Sequence, residues 1–515
     1  MTEVWTRPWA LLDLSRSHRQ SLNKGVSVEP RGALWAYHAN SQSIRLNGRA
    51  DVAHDVIGFD QSDHARRLAL LPLPKRSSAI RINDIGPMHW SGVPERPQKN
   101  QEPQTEAQHL AHRLLMRTEL VFDRLSEVET ALADPINLWR ELHDRWTKDR
   151  DDVEPRMDLI VRQARDLKRI LEGLSHAPRR ILRRTHRMMP LARVQEMDRR
   201  AMTWLIRQPG ETLAERAGND QRILGVAREE NFDTLENRVL RTYCELARAY
   251  AREFLDRHKR KNRTRRYRWV RDFAKQNQRL ARELKSLGVR KAEPGATPNF
   301  VLLENPNYRQ IWDAWQELLD RNRVADELWR WQPRTWEEFC AFAVMVSLQS
   351  LDGVQLVAAS PISYLDTQSQ GRWTENENPL GVFYLADRNL VVEVQYELAR
   401  PGKARADFAA PIWLRVGSTL DALAFEKRIA VWPMWDVQGE LVKGEADQLS
   451  DMLQQTRTEN LAGAVIIRPT GHESSMAINA ASNCVAMTLG VQGEPLRAGL
   501  SELTRQIYAL ITVEA

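Results

Sequence analysis

The spacing of apolar residues changes twice along this chain of 515 residues, and each change limits what a segment can fold into. Short alternating runs before residue 95 are typical of β-strands. Between about 106 and 290, apolar residues recur at i, i+3, i+4 and i+7, which is typical of helices. After about residue 300, helical and strand-like runs are mixed. The sequence therefore predicts an α+β multidomain protein, because the chain is several times longer than the roughly 150 residues of one domain.

Four parts follow from these periods and from local composition. They are a β-rich N-terminal domain (1–95), a linker (96–108), a long basic helical region with an arm or coiled-coil-like hairpin (109–300) and a C-terminal α/β domain (301–515). The linker belongs to the polar, proline-containing stretch PERPQKNQEPQTEAQ, which has little to bury.

Individual elements are predicted within these parts. The N-terminal strands cover 33–39, 43–48, 67–74 and 79–84. The middle helices cover about 109–132, 157–174, 195–208, 233–257 and 266–287. The C-terminal helices cover 307–330, 335–351, 444–456 and 499–511. The C-terminal strands cover 354–360, 381–386, 389–398, 410–416, 427–433, 462–469 and 484–491.

The net charge of +7 conceals an uneven distribution of charged residues. Residues 171–290 hold 30 Lys and Arg against 15 Asp and Glu, whereas the rest of the chain holds 45 against 53. A strong local excess of positive charge in an otherwise acidic chain indicates a polyanionic partner for that segment.

Two basic clusters lie inside this segment. RHKRKNRTRRYRWVR (257–271) has nine Lys or Arg and interleaves two aromatic residues, and PRRILRRTHR (178–187) places five arginines on a possible helix. Lys and Arg neutralise phosphates and release counterions, and aromatic rings stack on unpaired bases for about 1–3 kcal/mol each. The predicted nucleic-acid-binding residues are Arg179, Arg180, Arg183, Arg184, Arg187, Arg257, Lys259, Arg260, Lys261, Arg263, Arg265, Arg266, Tyr267, Arg268, Trp269 and Arg271.

An alternative for these clusters is a solvated helix face that pairs with acidic residues of this chain or of a partner. Few acids lie within the clusters, so i,i+4 ion pairs cannot neutralise them internally. No recognition-helix or zinc-finger motif is present, so sequence-specific readout is not predicted.

Several protein classes are excluded or disfavoured. The three cysteines stand singly without CxxC spacing and are predicted to be buried apolar side chains. The sequence has no GxxxxGK[ST], GxGxxG or GxSxG motif, so any nucleoside triphosphatase activity would come from another chain. No apolar run approaches the roughly 20 residues of a membrane span, and the N-terminus has no secretion signal. We therefore expect a cytoplasmic protein with no membrane partner.

Two stretches, REENFDTLENRVLRTYCELARAY (228–250) and NPNYRQIWDAWQELL (305–319), resemble McrC-related proteins. Their most specific part is a T-x-ENR-x-L element formed by Thr234, Glu236, Asn237, Arg238 and Leu240. The later residues in the expected order are Asn305, Tyr308 and Arg309. From the residue types, we interpret Glu236 and Arg238 as buried ion-pair residues that position helices. In the family, an uncharacterised helical region of this kind precedes a PD-(D/E)XK nuclease domain.

The resemblance extends to about residue 470 and implies a C-terminal PD-(D/E)XK-like domain. It places Glu337 on the first helix of that domain and Asp407 at a metal-binding position. The family's Asp/Glu-x-Lys triplet falls on Val431-Trp432-Pro433. Such nucleases hold Mg²⁺ with two carboxylates, while the lysine orients the attacking water. The resemblance thus implies a degenerate active site, since Asp407 alone gives Mg²⁺ too few oxygen ligands.

A rebuilt site remains an alternative, with remnant candidates Asp407, Glu337, Glu393, Lys427 and Asp436. The predicted function is a non-catalytic nucleic-acid-binding or scaffold subunit of a bacterial anti-phage or restriction-type complex. The alternatives are a divergent Mg²⁺-dependent nuclease and a purely protein-binding scaffold. The expected partners are nucleic acid, with DNA as the first choice, an AAA+ or helicase-type nucleoside triphosphatase and other subunits of the complex. No cofactor is expected, except Mg²⁺ if the nuclease alternative holds.

Overall fold

A computed structural model gives the three-dimensional arrangement of the chain. The residues it describes are 2–9, 19–21, 27–28, 32–39, 44–46, 54–55, 66–73, 79–82, 85–90, 94–97, 103–129, 135–147, 159–293, 295–367, 371–375, 378–396, 410–418, 427–437, 441, 444–456, 461–470, 477–480 and 483–512. The chain divides into two compact units, one of Met1–Arg156 with Asn322–Ala515 and one of Met157–Arg321, here called unit 1 and unit 2. The predicted mixture of helices and strands is confirmed.

Helices occur in both units. They are α1 (Glu106–Glu129), α2 (Pro135–Thr147), α3 (Leu159–Asp166), α4 (Lys168–His176), α5 (Arg199–Ile206), α6 (Leu213–Arg216), α7 (Leu235–Arg257), α8 (Arg265–Ser286), α9 (Phe300–Glu304), α10 (Pro306–Arg330), α11 (Gln332–Gln349), α12 (Glu445–Thr456) and α13 (Gly493–Thr512).

Strands are concentrated in unit 1. They are β1 (Thr2–Trp5), β2 (Arg19–Ser21), β3 (Ser27–Val28), β4 (Trp35–Ala39), β5 (His54–Asp55), β6 (Arg66–Leu70), β7 (Ala79–Ile82), β8 (Ile85–Trp90), β9 (Ile181–Pro190), β10 (Arg222–Asn231), β11 (Val354–Ala359), β12 (Ser363–Thr367), β13 (Gly371–Glu375), β14 (Gly381–Leu385), β15 (Leu390–Tyr396), β16 (Ile412–Ser418), β17 (Lys427–Pro433), β18 (Leu461–Pro469), β19 (Ala477–Ala480) and β20 (Cys484–Leu489).

The N-terminal strands form two small sheets, with the orders β2-β1-β4-β6-β5 and β3-β8-β7. The strands predicted at 33–39, 67–74 and 79–84 are confirmed as β4, β6 and β7. The remaining predicted strand, 43–48, is not seen in its described residues 44–46. Leu46 makes only a single bridge to Ile82.

Helix α11 lies at the centre of unit 1. Every side chain from Gln332 to Leu348 is buried, as expected for a helix that is apolar on most of its faces. Helices α1, α2 and α13 pack against it, and so does strand β17. The sequence places α1 and α2 in the same region as the basic helices, whereas their contacts are with α11 in unit 1.

An eight-stranded sheet with the order β11-β14-β15-β16-β17-β18-β20-β19 forms the C-terminal half of unit 1. Neighbours from β11 to β17 are antiparallel. Helix α12 then crosses over to β18, which is parallel to β17, and β20 is parallel to β18. Strands β18 and β20 are buried along most of their length, as is typical of parallel strands covered on both faces. All seven strands predicted in this part of the sequence are confirmed.

Unit 2 is built around a hairpin of the long helices α7 and α8, which pack along each other. Buried residues on α8 recur every three or four positions, at Val270, Phe273, Asn277, Leu280 and Leu284, which is the spacing of a coiled-coil-like seam. The predicted helices at about 233–257 and 266–287 are thus confirmed.

Helix α8 ends at a glycine, as the sequence predicts. Gly288 adopts a φ of 77°, which costs a glycine little. Its N–H and that of Val289 then close on the carbonyls of Lys285 and Leu284, both at 3.1 Å. These two bonds satisfy carbonyl groups that the end of the helix would otherwise leave open.

An antiparallel ribbon of β9 and β10 interrupts the helices of unit 2, with ten residue pairs in register and a length of about 33 Å. The helical interpretation of residues 178–187 is therefore wrong. Helix α4 ends at His176, and Pro178 cannot continue it because it lacks a backbone N–H. Between the strands, α5 and α6 enclose a small core of Leu205, Ala217 and Ile223.

Trp336 should stabilise unit 1 more than any exposed apolar residue of the same unit. It is fully buried and donates its indole N–H to the carbonyl of Ile467 at 3.2 Å. We expect Trp336→Ala to reduce the free energy of unfolding by about 3–5 kcal/mol, because it leaves a cavity in the core. The control Val357→Ala, at a position that is 61% exposed, should change it by less than about 0.5 kcal/mol. Denaturant titration followed by tryptophan fluorescence measures both, and equal effects would contradict the assigned core.

Candidate nucleic-acid interface

The T-x-ENR element lies at the start of α7 and is buried. Thr234 caps the helix, because its hydroxyl accepts the backbone N–H of Asn237 at 3.4 Å. Glu236 follows in the first turn, where a carboxylate suits the positive end of the helix dipole. Its side chain is 2% exposed and accepts hydrogen bonds from Arg179 Nη1 at 2.5 Å and Asn299 Nδ2 at 2.7 Å. The element therefore holds the segment before β9 and the start of α9 against α7.

Asn237 is the second buried polar residue of the element, and its whole amide is hydrogen-bonded. Nδ2 donates to the backbone carbonyls of Arg179 at 2.7 Å and Phe232 at 2.8 Å. Oδ1 accepts the hydroxyl of Tyr308 at 2.7 Å. The backbone N–H of Tyr308 in turn donates to Asn305 Oδ1 at the start of α10. The two stretches that resemble McrC-related proteins, 228–250 and 305–319, thus meet in one hydrogen-bond network.

Arg238 lies on the other side of the element and is held by Asp233. Its Nε and Nη2 donate to the two carboxylate oxygens at 2.7 and 2.6 Å, and Arg290 donates to the same carboxylate at 2.9 and 2.8 Å. The hydrogen bond from Arg238 is the main cause that holds the pKa of Asp233 well below its usual value. Glu236 and Arg238 thus each form an ion pair, but not with one another, and the Arg238 side chain is 29% exposed. The interpretation of the two residues as ends of one buried ion pair is therefore wrong.

The basic run 257–271 forms the connection between α7 and α8. It includes a short 3-10 helix, Lys259–Lys261, and the first residues of α8. Its exposed basic side chains are those of Lys259, Arg263, Arg265, Arg268 and Arg271. Its half-buried basic side chains are those of Lys261 and Arg266. The side chains of Arg257 and Arg260 lie outside the described part of the chain.

Carboxylates flank this run rather than interrupt it. Asp256 lies 3.1 Å from Lys259 Nζ, and Asp272 lies 3.3 Å from Arg271 Nε. Exposed pairs of this kind contribute only about 0–1 kcal/mol each. The turn therefore presents a concentration of cations that a polyanion can contact.

The aromatic residues of the run are less accessible than the sequence suggests. Trp269 is partly buried against the core of unit 2, and the guanidinium of Arg265 lies 4.7 Å from the centre of its ring. Tyr267 is half-buried. A ring that packs on the core and carries a guanidinium on its face has little surface for a base, so the turn is suited to phosphates rather than to base stacking.

The second predicted cluster lies on β9 and its approach, and acidic residues of unit 2 pair with most of it. The pairs are Arg179–Glu236 (2.5 Å), Arg180–Glu230 (2.6 Å), Arg184–Glu196 (3.1 Å) and Arg187–Glu229 (3.7 Å). Arg183 is exposed and has no ion pair among the described residues. The alternative prediction, pairing with acidic residues of the same chain, therefore applies to this cluster more than to the turn at residues 257–271.

A row of basic residues further along α8 was not predicted from the sequence. Its exposed members are Arg268, Arg271, Lys275, Arg282 and Lys285. Their spacing of three, four or seven residues places them on one face of the helix. Arg248 and Arg252 of α7 line the same side, and the two helices enclose a groove of about 330 Å³ there. Helical spacing of the basic residues, rather than their density, is the sequence signal that would reveal this row.

The structure does not bring the described remnant candidates of unit 1 together. Glu393 on β15 pairs with Arg415 at 3.2 Å, and Arg415 lies opposite Arg428 on β17. Lys427 precedes Arg428, so its side chain lies on the other face of the sheet from Glu393. Asp436 lies beyond the opposite end of β17, a strand about 20 Å long. Asp407 lies outside the described residues.

Asp436 is instead part of a buried ionic cluster at the ends of β17 and β18. It is fully buried and accepts Arg468 Nη1 at 3.2 Å. Arg468 also donates to both carboxylate oxygens of Glu445, at 3.0 and 2.7 Å, and Arg7 contacts the same carboxylate at 3.2 Å. A guanidinium thus lies between the carboxylates of Asp436 and Glu445.

Two more observations bear on Mg²⁺ binding. Among the described residues, no group of three or more His, Cys, Asp or Glu side chains has the geometry to hold a metal ion. Glu337 is buried on α11, at 3% exposure.

The three cysteines are buried and unpaired with one another, as predicted. Burial raises the pKa of all three thiols, that of Cys484 to about 12. A thiol that stays protonated at neutral pH is a poor nucleophile.

Among the described helices, none is both long and apolar enough to cross a membrane.

Comparison with known proteins gives limited likeness. Residues 138–314 match a family model described as a domain of unknown function (DUF2357). No curated protein matches the chain. Among solved structures, the chain is similar to one in the refined half-complex from the tetradecameric assembly of Thermococcus gammatolerans McrB AAA+ hexamers with bound McrC. That similarity covers 88% of this chain and 85% of the other at 11% identity, and the TM-score of 0.25 is too low to support a shared fold.

Asp233→Asn should destabilise the protein in a pH-dependent way. The folded-state pKa of Asp233 is depressed, so its contribution is complete above the unfolded value of about 4 and is lost as pH falls towards the folded value. We expect a loss of about 2 kcal/mol at pH 7 that shrinks progressively below about pH 4. Urea unfolding of both proteins across this range measures the difference, and a difference that does not depend on pH would rule out this ion pair.

Proposed function

We propose that this protein is a nucleic-acid-binding scaffold subunit of a bacterial defence complex of the restriction type. The observation that carries the proposal is the connection between α7 and α8, residues 257–271, which holds nine Lys or Arg and no Asp or Glu. Its basic side chains are largely exposed, and its position at the end of a helical hairpin leaves them accessible to an extended ligand.

The physical basis of this binding is electrostatic. Each phosphate that a Lys or Arg neutralises releases condensed counterions, and the logarithm of the affinity falls by about 0.9 per contact for each tenfold rise in salt. Such binding does not depend on base sequence, which agrees with the limited access to Trp269 and Tyr267. Duplex DNA, with its high density of phosphates, is the proposed ligand.

The nuclease-like sheet is proposed to serve assembly rather than cleavage. Two features support this role: the triplet Val431-Trp432-Pro433 has neither a carboxylate nor a lysine, and Arg468 pairs with both Asp436 and Glu445. A buried carboxylate that already has a cationic partner is a poor ligand for Mg²⁺, because binding the metal would leave the arginine charge unpaired.

The proposed partner in the complex is a nucleoside triphosphatase of the AAA+ or helicase type. This part of the proposal rests on the T-x-ENR resemblance to McrC-related proteins, which work beside an AAA+ GTPase. The chain itself has no GxxxxGK[ST] motif, so the motor would be a separate polypeptide.

Binding to a labelled DNA duplex should depend strongly on salt and on the turn. We expect Arg263→Glu with Arg268→Glu to weaken binding at least about tenfold at roughly 200 mM salt, since two phosphate contacts become repulsive. Fluorescence anisotropy between about 50 and 200 mM salt measures this effect.

The matched control reverses two exposed arginines outside α7 and α8 that already pair with carboxylates, Arg165→Glu and Arg505→Glu. This control should retain most of the affinity. If the wild-type protein binds no nucleic acid, or if binding is unaffected by the turn variant, the proposed function is wrong. Assembly with a protein partner at high salt without nucleic acid would then favour the protein-binding scaffold.

The purified chain should not cleave DNA or RNA in Mg²⁺ or Mn²⁺, because the triplet Val431-Trp432-Pro433 has neither a carboxylate nor a lysine. Gel analysis of labelled substrates over long incubations, with and without partner proteins, tests this expectation. Cleavage that Asp407→Ala abolishes would instead establish the divergent nuclease.

A further inference from the structure

The groove between α7 and α8 is lined by four basic side chains and one acidic side chain. Its basic members are Arg248, Arg252, Arg282 and Lys285. The acidic member, Glu245, is already contacted by Arg241 at 3.2 Å and by Lys291 at 2.6 Å, and neither of these is among the residues that line the groove. Its charge is thus shared with residues outside the groove, and its effect on the pKa of Arg248 is smaller than those of Arg252 and Arg282.

Arg248 is the member of this set that is most enclosed. Its Nε is buried, and no described group accepts a hydrogen bond from it. Burial, followed by the charges of Arg252 and Arg282, lowers the pKa of Arg248. An anionic group in the groove would both accept this hydrogen bond and reduce the repulsion among the arginines.

The dimensions favour a polymer over a small anion. The basic row of α8 from Arg268 to Lys285 is about 26 Å long at the helical rise of 1.5 Å per residue, and it joins the basic turn directly. Phosphates of one DNA strand follow each other about every 3.4 Å along the axis, so the row spans about seven or eight of them. A free phosphate or a single nucleotide would contact only a small part of this row.

We infer that the groove is a phosphate-binding track that holds the sugar–phosphate backbone of DNA lengthwise along α7 and α8. This inference rests on the proposed function and extends it to residues outside the basic turn. The planar forks of three arginines suit phosphate oxygens, which they contact through paired hydrogen bonds. No aromatic side chain lines the groove as described, so the track reads no bases.

The test compares two triple variants of the full chain that remove the same charge. The groove variant combines Arg252→Gln, Arg282→Gln and Lys285→Gln, which are exposed positions, so the fold should be kept. The control variant combines Arg165→Gln, Arg228→Gln and Arg505→Gln, three exposed arginines outside α7 and α8 that pair with carboxylates. Binding to a fluorescent duplex of about 20 base pairs, longer than the track, is measured against salt.

The groove variant should lower the slope of log affinity against log salt by roughly 2 to 3, because three phosphate contacts are lost. The control should keep the wild-type slope. Equal slopes for the two variants would overturn the inference while leaving the proposed function intact. Absence of wild-type binding would overturn both.

Discussion

A buried network of hydrogen bonds around Glu236 and Asn237 fixes the arrangement of unit 2. A carboxylate and an amide removed from water are tolerated only when their polar atoms find partners. Although burial raises the pKa of Glu236, its hydrogen bonds, led by that from Asn299, and the charge of Arg179 more than offset this, so the pKa is lowered. The carboxylate is thus ionised at neutral pH, and it ties α7 to the approach of β9 and to α9. The helical hairpin that carries the basic residues is built on this junction.

The basic residues of β9 and those of α8 differ in how many of them pair with acidic side chains. On β9, acidic side chains of the neighbouring strand and loop neutralise most of the arginines. Along α8, the carboxylate of Glu283 pairs with Arg279, whereas Arg282 and Lys285 have no ion pair among the described residues. Positive charge that is left unneutralised within the protein is the charge available to a phosphate backbone. This difference, rather than the density of arginines, locates the candidate interface on the hairpin.

The sequence predicts local structure well where apolar periodicity is strong, as in α7, α8, α11 and the strands of the large sheet. It fails at residues 178–187, because arginine favours helices and the pairing with β10 depends on residues about 40 positions later. The basic turn is visible from composition alone. The groove is not, since it requires knowledge of which faces of α7 and α8 meet, and the pairing of the β9 arginines depends on carboxylates brought near only by the fold.

Hydrogen–deuterium exchange of the intact protein, with and without duplex DNA, shows whether the α7–α8 hairpin or the eight-stranded sheet of unit 1 contacts nucleic acid. DNA should slow exchange in peptides covering residues 245–285, while peptides from β16 and β17 should be unchanged. Slower exchange confined to β16 and β17 or to β9, with the hairpin unaffected, would contradict an interface on the hairpin.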